Sequence, residues 1–335
     1  MHHRASNNDE LVTALRELHL VGLDEVVTVR PLVGGVSSDI VEIVTPTRGF
    51  CVKRALPRLK VAALWEAPVE RNAAEAAWLR TVAAWLPDAV PAVLAEDSEL
   101  GLFAMEFLPP DDYPVWKSEL LDGKADQTFG AAVGMHLGTI HRRSADDPGL
   151  ARRFAHDATF EAIRIEPYLR ATGRAHPKAR PWLAEVAART MANKRVLVHG
   201  DVSPKNILHG PRGPVFLDAE CAWFGDPAFD LAFCLNHLLL KGAYRPDSKQ
   251  AFLGVFLALT QAYLAEVEWE PPAEVERRCA ALLPILLLAR VDGKSPVEYL
   301  DDARRASVRE AALSLIQARP ETLFAIVQAW STTFV

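Results

Sequence analysis

The chain has 335 residues, half of them apolar types and 24% charged, with a formal net charge of −6. That balance belongs to an ordinary folded protein and excludes a disordered, collagen-like or membrane-embedded chain. The 37 Lys and Arg are outnumbered by 43 Asp and Glu, and no long basic tract occurs, so the electrostatic footprint of a nucleic-acid binder is missing.

At roughly 100 to 200 residues per domain, the length predicts two domains or lobes, each with its own core. The four cysteines, Cys51, Cys221, Cys234 and Cys279, are far apart and form no C-x-x-C pair, which points to a reducing compartment. Residues 1–10 are polar and lack the cationic start and apolar run of a secretory signal. The longest apolar stretches, 231–240 and 281–289, are too short to cross a bilayer. The expectation is a cytoplasmic protein with neither membrane nor nucleic acid as a partner.

Residues 10–20 place Leu11, Leu15 and Leu18 in a helical rhythm that stops before Gly22. From 26 to 55, β-branched runs at 26–29, 40–44 and 50–52 alternate with Pro31, Gly34-Gly35 and residues 46–49, predicting an antiparallel meander. Residues 69–86 carry Glu75, Trp78, Leu79, Val82 and Leu86 at helical spacing and end at Pro87, predicting one long helix. Strands are expected at 92–95 and 102–107, before Pro109-Pro110-Asp111-Asp112 breaks the pattern. The chain therefore divides into a helical lead-in (1–25), a small β-rich lobe (26–108) and a larger lobe (109–335). Helices are predicted in the larger lobe at 129–141, 160–169, 181–191, 229–240, 249–267, 273–290 and 303–319. The exception is 196–218, where apolar runs at 196–198 and 215–217 bracket a polar loop.

That polar island reads Val198-His199-Gly200-Asp201-Val202-Ser203-Pro204-Lys205-Asn206-Ile207-Leu208, then Val215-Phe216-Leu217-Asp218-Ala219-Glu220. Two carboxylates and an amide at the ends of short apolar strands are costly to bury unless something charged binds between them. Hydrated Mg²⁺ is such a partner, since it takes oxygen ligands from one or two carboxylates and from substrate phosphates. Asn206 and Asp218 suit it as ligands, leaving Asp201 to accept the proton of an attacking hydroxyl.

The pattern H-G-D-x-x-x-x-N, followed a short hairpin later by Asp, resembles the catalytic loop and metal-binding Asp of the aminoglycoside phosphotransferase and choline kinase branch of the protein-kinase-like superfamily. Glycine after the His, where protein kinases have Arg, points to the small-molecule branch. Residues 225–232, with Asp226-Pro227 and Asp230-Leu231-Ala232, are similar to that family's D-P-x-x-D-L-A stretch. The resemblance implies an α+β, bilobal protein-kinase-like fold: a small antiparallel lobe with one long helix and a larger, mainly helical lobe. It implies transfer of the γ-phosphoryl group from ATP, or from GTP, with Mg²⁺, to a hydroxyl of a small molecule. Lys53 falls on the third strand, where the family keeps its phosphate-binding lysine. Glu75 lies on the apolar side of the long helix, a poor place for a carboxylate without a partner, and an ion pair with Lys53 would satisfy both charges. Arg54 would point to the opposite face of the strand.

Gly34, Gly35 and Ser37 lie in the turn one strand ahead of Lys53, where backbone N–H groups could approach phosphate oxygens. Glu106 and Leu108 end the last small-lobe strand, where family members bind adenine through the main chain. The resemblance gives Asp226 and Asp230 a structural part, bracing the catalytic loop, and His199 a place packed beneath it. A Ser203-His199-Asp201 hydrolase triad is crowded into one loop without a G-x-S-x-G elbow. Lys205 either touches the transferred phosphate or is solvated. Arg290 and Asp292, in the polar break at 289–296, either face the acceptor or end a capped helix. The acidic residues between 111 and 166, Asp111, Asp112, Asp122, Asp126, Asp146 and Asp147 among them, would suit a cationic aminoglycoside. Ala219-Glu220 replace the Phe-Gly of protein kinases, and no activation-loop pattern follows, which argues against protein substrates. Competing readings are a nucleotide-binding pseudokinase, acting as sensor or scaffold, and a choline, methylthioribose, homoserine or sugar kinase of the same fold.

Overall fold

A computed structural model describes residues 2–32, 38–55 and 71–333, and the chain divides into two compact units, 1–109 and 110–335. The first unit opens with helix α1 (His2–Glu17) and a five-stranded antiparallel sheet: β1 (Thr28–Pro31), β2 (Ser38–Val44), β3 (Gly49–Ala55), β4 (Val93–Asp97) and β5 (Leu102–Glu106), in the order β1-β2-β3-β5-β4. Helix α2 (Arg71–Ala83) joins β3 to β4 in sequence. The β2–β3 turn is closed by Thr45, whose Oγ1 accepts from the N–H groups of Thr47 and Arg48 at 3.3 and 3.2 Å.

Alternation along the strands sends residues to opposite faces of the sheet. Phe50 and Val52 of β3, with Ile43, Leu102 and Ala104, pack under Ala14 and Leu15 of α1 and under Leu20 and Val21. The lead-in helix is thus part of the first unit's core. Lys53 has the opposite parity to Phe50 and Val52 and meets Glu75 of α2. Pro31, expected in a turn, lies instead within β1 opposite Val41. This is an edge strand, where the missing N–H removes no ladder bond that the sheet needs. Helix α2 stops at Ala83, short of the expected Leu86, because the residue before a proline is driven out of helical conformation.

The second unit contains α3 (Trp116–Leu121), α4 (Gln127–Ser144), α5 (Pro148–Arg153), α6 (Asp157–Phe160), α7 (Ala171–Ala175) and α8 (Arg180–Ala192). Short strands β6 (Val196–Val198), β7 (Ile207–Gly210), β8 (Gly213–Phe216) and β9 (Trp223–Gly225) follow. Helices α9 (Pro227–Tyr244), α10 (Lys249–Ala265), α11 (Pro272–Asp292), α12 (Asp302–Ala318) and α13 (Leu323–Ser331) complete it. Helix α9 is apolar around most of its circumference and almost wholly buried, as a helix at the centre of a bundle must be. Helices α4 and α10 approach so closely that a Cβ on Gly134 would sit 2.2 Å from the carbonyl oxygen of Leu259.

The helix expected at 160–169 is α-helical only to Phe160; Glu161–Arg170 is π-helical, with Pro167 inside it. Proline has no N–H for the ordinary ladder, and the wider turn accommodates the loss. Helices α3, α5 and α13 are too short or too weakly periodic to stand out in the sequence. Among the described residues no helix is long and apolar enough to cross a membrane.

The start of α9 is tied to α11. Asp226 caps α9 by accepting from Ala228 N at 3.1 Å, and Arg278 of α11 donates to both of its carboxylate oxygens at 3.0 and 3.2 Å. Arg278 also forms a two-pronged pair with Glu270 at 2.7 and 2.8 Å. Replacing Arg278 by Met leaves two carboxylates in a low-dielectric site without their cation, and is expected to lower unfolding stability by about 3 kcal/mol. Urea denaturation of R278M against the parent measures it; a change under about 1 kcal/mol would show that the cluster does not anchor α9.

Candidate active site

In the first unit, Lys53 Nζ lies 2.5 Å from Glu75 Oε2, and both side chains are 2% exposed. Strand β3 holds Lys53 between Ile40 of β2 and Phe103 of β5. Asn72, one turn before Glu75, donates its amide to the Lys53 carbonyl at 3.2 Å and to the Gly101 carbonyl at 2.8 Å, stitching α2 to the sheet. Two charges so deeply buried need each other, because the desolvation penalty of either alone is several kcal/mol. At the end of β5, the Glu106 N–H is used by the Ala92 carbonyl at 2.9 Å. Leu108, two residues on, makes no main-chain hydrogen bond to another described residue. Gly34, Gly35 and Ser37 lie outside the described residues.

In the second unit the polar island is built by two strand pairs. β6 pairs with β9, Val198 opposite Trp223, and β7 with β8 form a tight hairpin, Ile207 opposite Phe216. The loop from β6 to β7 carries Asp201, Lys205 and Asn206; the loop from β8 to β9 carries Asp218 and Glu220. Hairpin register sets these loops side by side, and Leu217 N donates to the Asn206 carbonyl at 2.9 Å. The Leu217 carbonyl accepts from His199 Nε2 at 3.0 Å, so the residue before Asp218 is held at both ends. Asp218 itself has φ +66°, a left-handed conformation that few residues other than glycine adopt. Such a conformation persists only where the surroundings enforce it.

Asp201 is 5% exposed. Its carboxylate meets Arg164 Nη2 at 3.0 Å and Lys205 Nζ at 3.2 Å, and the same ammonium lies 3.9 Å from Asp218. The Asp201 carbonyl accepts from Ser203 N at 2.7 Å and from the Asn206 amide at 3.0 Å. That second bond commits the amide nitrogen of Asn206 and leaves its oxygen as the end suited to a hard cation. Burial alone would weaken the Arg164 cation, but the surrounding Cys221, Asp201, Tyr168 and Glu220 reverse the effect and hold it charged. Burial likewise pulls Lys205 down, and Asp201 with Asp218 more than offsets it, leaving the ammonium above its ordinary range.

Arg164 comes from the π-helical segment and was not singled out by sequence. The signal was an arginine between Ile163 and Ile165, three residues before a proline, in an otherwise apolar helix face. Arg164 Nε also donates to the Gly200 carbonyl. Gly200 has φ +79°, and a Cβ there would lie 2.6 Å from the Cys221 carbonyl oxygen, so glycine is required where protein kinases carry arginine.

Beneath the loop, the fully buried Asp230 accepts from His199 N at 2.7 Å and Gly200 N at 2.8 Å. It also faces His141 Nε2 at 3.3 Å, and His141 Nδ1 contacts the Tyr263 hydroxyl at 2.7 Å. Asp230 therefore braces the loop that begins at His199, whereas Asp226 braces the start of α9, so the two aspartates divide the structural part expected of both. His199 Nδ1 accepts from Asp201 N at 3.1 Å and its Nε2 is used by Leu217. With both nitrogens engaged, no Ser203-His199-Asp201 triad is assembled.

The Asp292 carboxylate is taken up by Arg309 at 2.6 and 2.7 Å and by His176 at 2.7 Å, joining α7, α11 and α12. Arg290, two residues earlier, bonds the Ser295 carbonyl at 2.5 Å and hydroxyl at 2.9 Å, and the Tyr168 hydroxyl at 3.4 Å. Of the acidic residues between 111 and 166, Asp126 and Asp147 are spent capping α4 and α5. Among the described residues no three His, Cys, Asp or Glu side chains form a metal-binding group. The oxygen donors of Asn206 and Asp218 still fit a magnesium ion, which takes few protein ligands and completes its shell with water and phosphate. The Lys205 ammonium between the two carboxylates marks the place as one that favours a cation.

A unit built on an antiparallel sheet with a buried Lys–Glu pair, and a helical unit with an H-G-D-x-x-x-x-N loop, are the parts of a protein-kinase-like fold. Residues 28–274 match the phosphotransferase enzyme family, and the chain belongs to it. It is 23% identical over 246 residues to a methylthioribose kinase of Bacillus cereus, an alignment spanning 65% of this chain and 62% of that relative. The chain thus spans under two thirds of the curated relative's length. Among solved structures, an ethanolamine kinase of Plasmodium vivax is similar in fold, with a TM-score of 0.58 at 12% identity over 88% of this chain and 83% of that one. An amicoumacin kinase bound to AMP-PNP, Ca²⁺ and its antibiotic gives 0.54 at 16% identity, covering 98% and 99% of the two chains. An aminoglycoside phosphotransferase of Alicyclobacillus acidocaldarius gives 0.53 at 14% identity, covering 92% and 94%.

Two predictions follow from the loop geometry. Gly200→Ala forces a side chain into left-handed backbone against a carbonyl oxygen, and should destabilise the protein by more than about 1 kcal/mol; thermal unfolding at parental values would mean the loop has room to shift. His199 is pushed below its ordinary pKa by burial, which its neighbouring carboxylates only partly offset, and His237 is pushed down by burial and by Arg290 and Lys241. Below about pH 6.5 the unfolded chain then binds protons that the folded chain refuses, and stability falls with pH by up to about 1.4 kcal/mol per unit for each such histidine. Urea unfolding between pH 7 and 5.5 should show this slope, shallower in His237→Asn; a flat profile contradicts it.

Proposed function

We propose that the protein is a small-molecule kinase that transfers the γ-phosphoryl group of ATP, with Mg²⁺, to a hydroxyl of its acceptor. The observation that carries this reading is the second unit's Asp201, fixed by Arg164 and Lys205 beside a loop offering Asn206 and Asp218 as oxygen ligands. Family membership and the kinases to which the chain is similar support it. The first unit, including the lobe expected at 26–108, serves the nucleotide, and the second supplies the catalytic loop and the acceptor site. Lys53, oriented by Glu75, takes the α and β phosphates. Leu108, whose main-chain groups bond no other described residue, and Glu106 at the strand end serve the base, and Gly34, Gly35 and Ser37, which lie outside the described residues, are assigned to the phosphates from sequence. Phosphoryl transfer asks for positioning and charge neutralisation more than covalent chemistry.

Asp201 holds the acceptor hydroxyl in line with the γ-phosphorus and accepts its proton as the new P–O bond forms and the bond to the β-phosphate oxygen breaks, releasing ADP. Arg164 keeps the Asp201 carboxylate from rotating away. Lys205, half exposed and shared by two carboxylates, is placed to follow the transferred group. Asn206 and Asp218 would hold the metal ion, which when bound neutralises charge on the phosphates. ATP use and four buried, unpaired thiols suit a cytoplasmic enzyme.

Asp201→Asn is expected to leave nucleotide affinity within about twofold while turnover falls at least about a hundredfold, the usual size of a lost general base. The measurement is a phosphoryl-transfer screen of hydroxylated metabolites with ATP and GTP, read by mass increase of the acceptor. Parental turnover in D201N would falsify the role given to Asp201, and failure to bind either Mg²⁺-nucleotide would remove the kinase reading altogether.

A further inference from the structure

Beyond Asp201 the second unit holds two cations, Arg290 and Lys241, that pair with no carboxylate among the described residues. Arg164, paired with Asp201, lies 5.9 Å from the centroid of the Tyr168 ring, and Arg290 lies 5.9 Å from the same ring. Among the described residues the Arg290 side chain bonds Ser295 and Tyr168 alone, and its Nε is buried without a partner there. Phe233, which stacks edge-on with Tyr168 and His237, begins a stripe along α9 that continues one turn at a time through His237 to Lys241. Lys241 is 1% exposed, and its ammonium rests 3.6 Å from the Tyr299 ring centroid with no hydrogen bond or ion pair to a described residue.

A lysine buried against an aromatic face alone is expensive, because cation–π attraction of about 2 kcal/mol does not replace the lost hydration. Burial first, then the field of Lys117 and a smaller one from Arg290, outweigh the opposing pull of Glu298 and bring its pKa down to about 7. The nearby carboxylates are already engaged: Glu298 pairs with Lys117, and Asp292 with Arg309 and His176. The fields of Arg290, Lys241, Lys205 and Lys117 all reach His237, which ties this patch to the catalytic loop. A bound anion would supply the counter-charge that Lys241 and Arg290 lack among the described residues.

We propose that the phosphoryl acceptor is a small hydroxylated anion, bearing a carboxylate or a phosphate, whose charged group is held by Lys241 and Arg290 while its hydroxyl faces Asp201. The proposal rests on the kinase reading above and narrows it, setting cationic acceptors such as aminoglycosides or choline aside. Tyr168 and Tyr299 provide walls for the carbon skeleton, and the Tyr299 hydroxyl, buried without a partner, is a further donor.

The test is calorimetric titration of the full chain, with and without saturating Mg²⁺ and AMP-PNP, against hydroxylated metabolites arranged as charge triplets. D-gluconate, D-glucose and D-glucosamine form one series; sn-glycerol 3-phosphate, glycerol and 3-amino-1,2-propanediol form another, and further triplets are built alike. At least one anion should bind about tenfold or more tightly than its neutral and amino twins, and the preferred series tells carboxylate from phosphate. Lys241→Met and Arg290→Gln should each erase most of that preference, with thermal unfolding reporting whether each variant is folded. A neutral or amino member binding as well as its anion, the absence of any bound anion, or a preference that survives in both folded variants overturns the proposal. AMP-PNP titrated alone reports on the kinase reading separately: nucleotide binding without anion preference removes only the inference drawn here.

Discussion

The loop from His199 to Asn206 is an irregular stretch of backbone whose N–H groups need partners that no strand provides. Asp230, wholly buried, supplies them by accepting from both His199 and Gly200, and it is in turn positioned by His141 and Tyr263. Everything functional in the second unit is referenced to that carboxylate. Once residues 199 and 200 are fixed, the left-handed turn at Gly200 directs Asp201 toward Arg164, and the Asp201 carbonyl orients Asn206. His199 passes the constraint to Leu217 and so to the strained Asp218. A network of this kind is costly when incomplete and rigid when complete.

The first unit solves a different problem by the same means. A lysine in the middle of a sheet and a glutamate on an apolar helix face are each unfavourable alone, and burial makes them interdependent. Sequence reasoning reached that pair from the family resemblance, which picks out Lys53 on the third strand, and from the helical phase of Glu75. It could not reach Asn72, whose amide fastens α2 to two carbonyls of the sheet, because bonds to main-chain carbonyls leave no residue-type pattern.

The charge field near Asp201 illustrates the difference between composition and placement. The acidic residues between 111 and 166 look, in sequence, like a welcome for cations. In the structure two of them cap helices, while Arg164 and Lys205, drawn from separate segments, meet the Asp201 carboxylate. Net charge is a property of the whole chain; the sign of a site depends on which side chains the fold collects.

The linear sequence by itself determined the strand-rich and helix-rich parts and the loop H-G-D-x-x-x-x-N with its following Asp, because these depend on periodicity and on short fixed spacings, and the family resemblance added the Lys–Glu pair. Tertiary structure alone decided that Arg164 reaches Asp201 from a π-helical turn, that Asp226 and Asp230 part company, that Pro31 sits in an edge strand, and that Lys241 is buried with no counter-ion among the described residues. Each of those outcomes depends on contacts between segments far apart in the chain, where the energy of burial, rather than local preference, selects the partner.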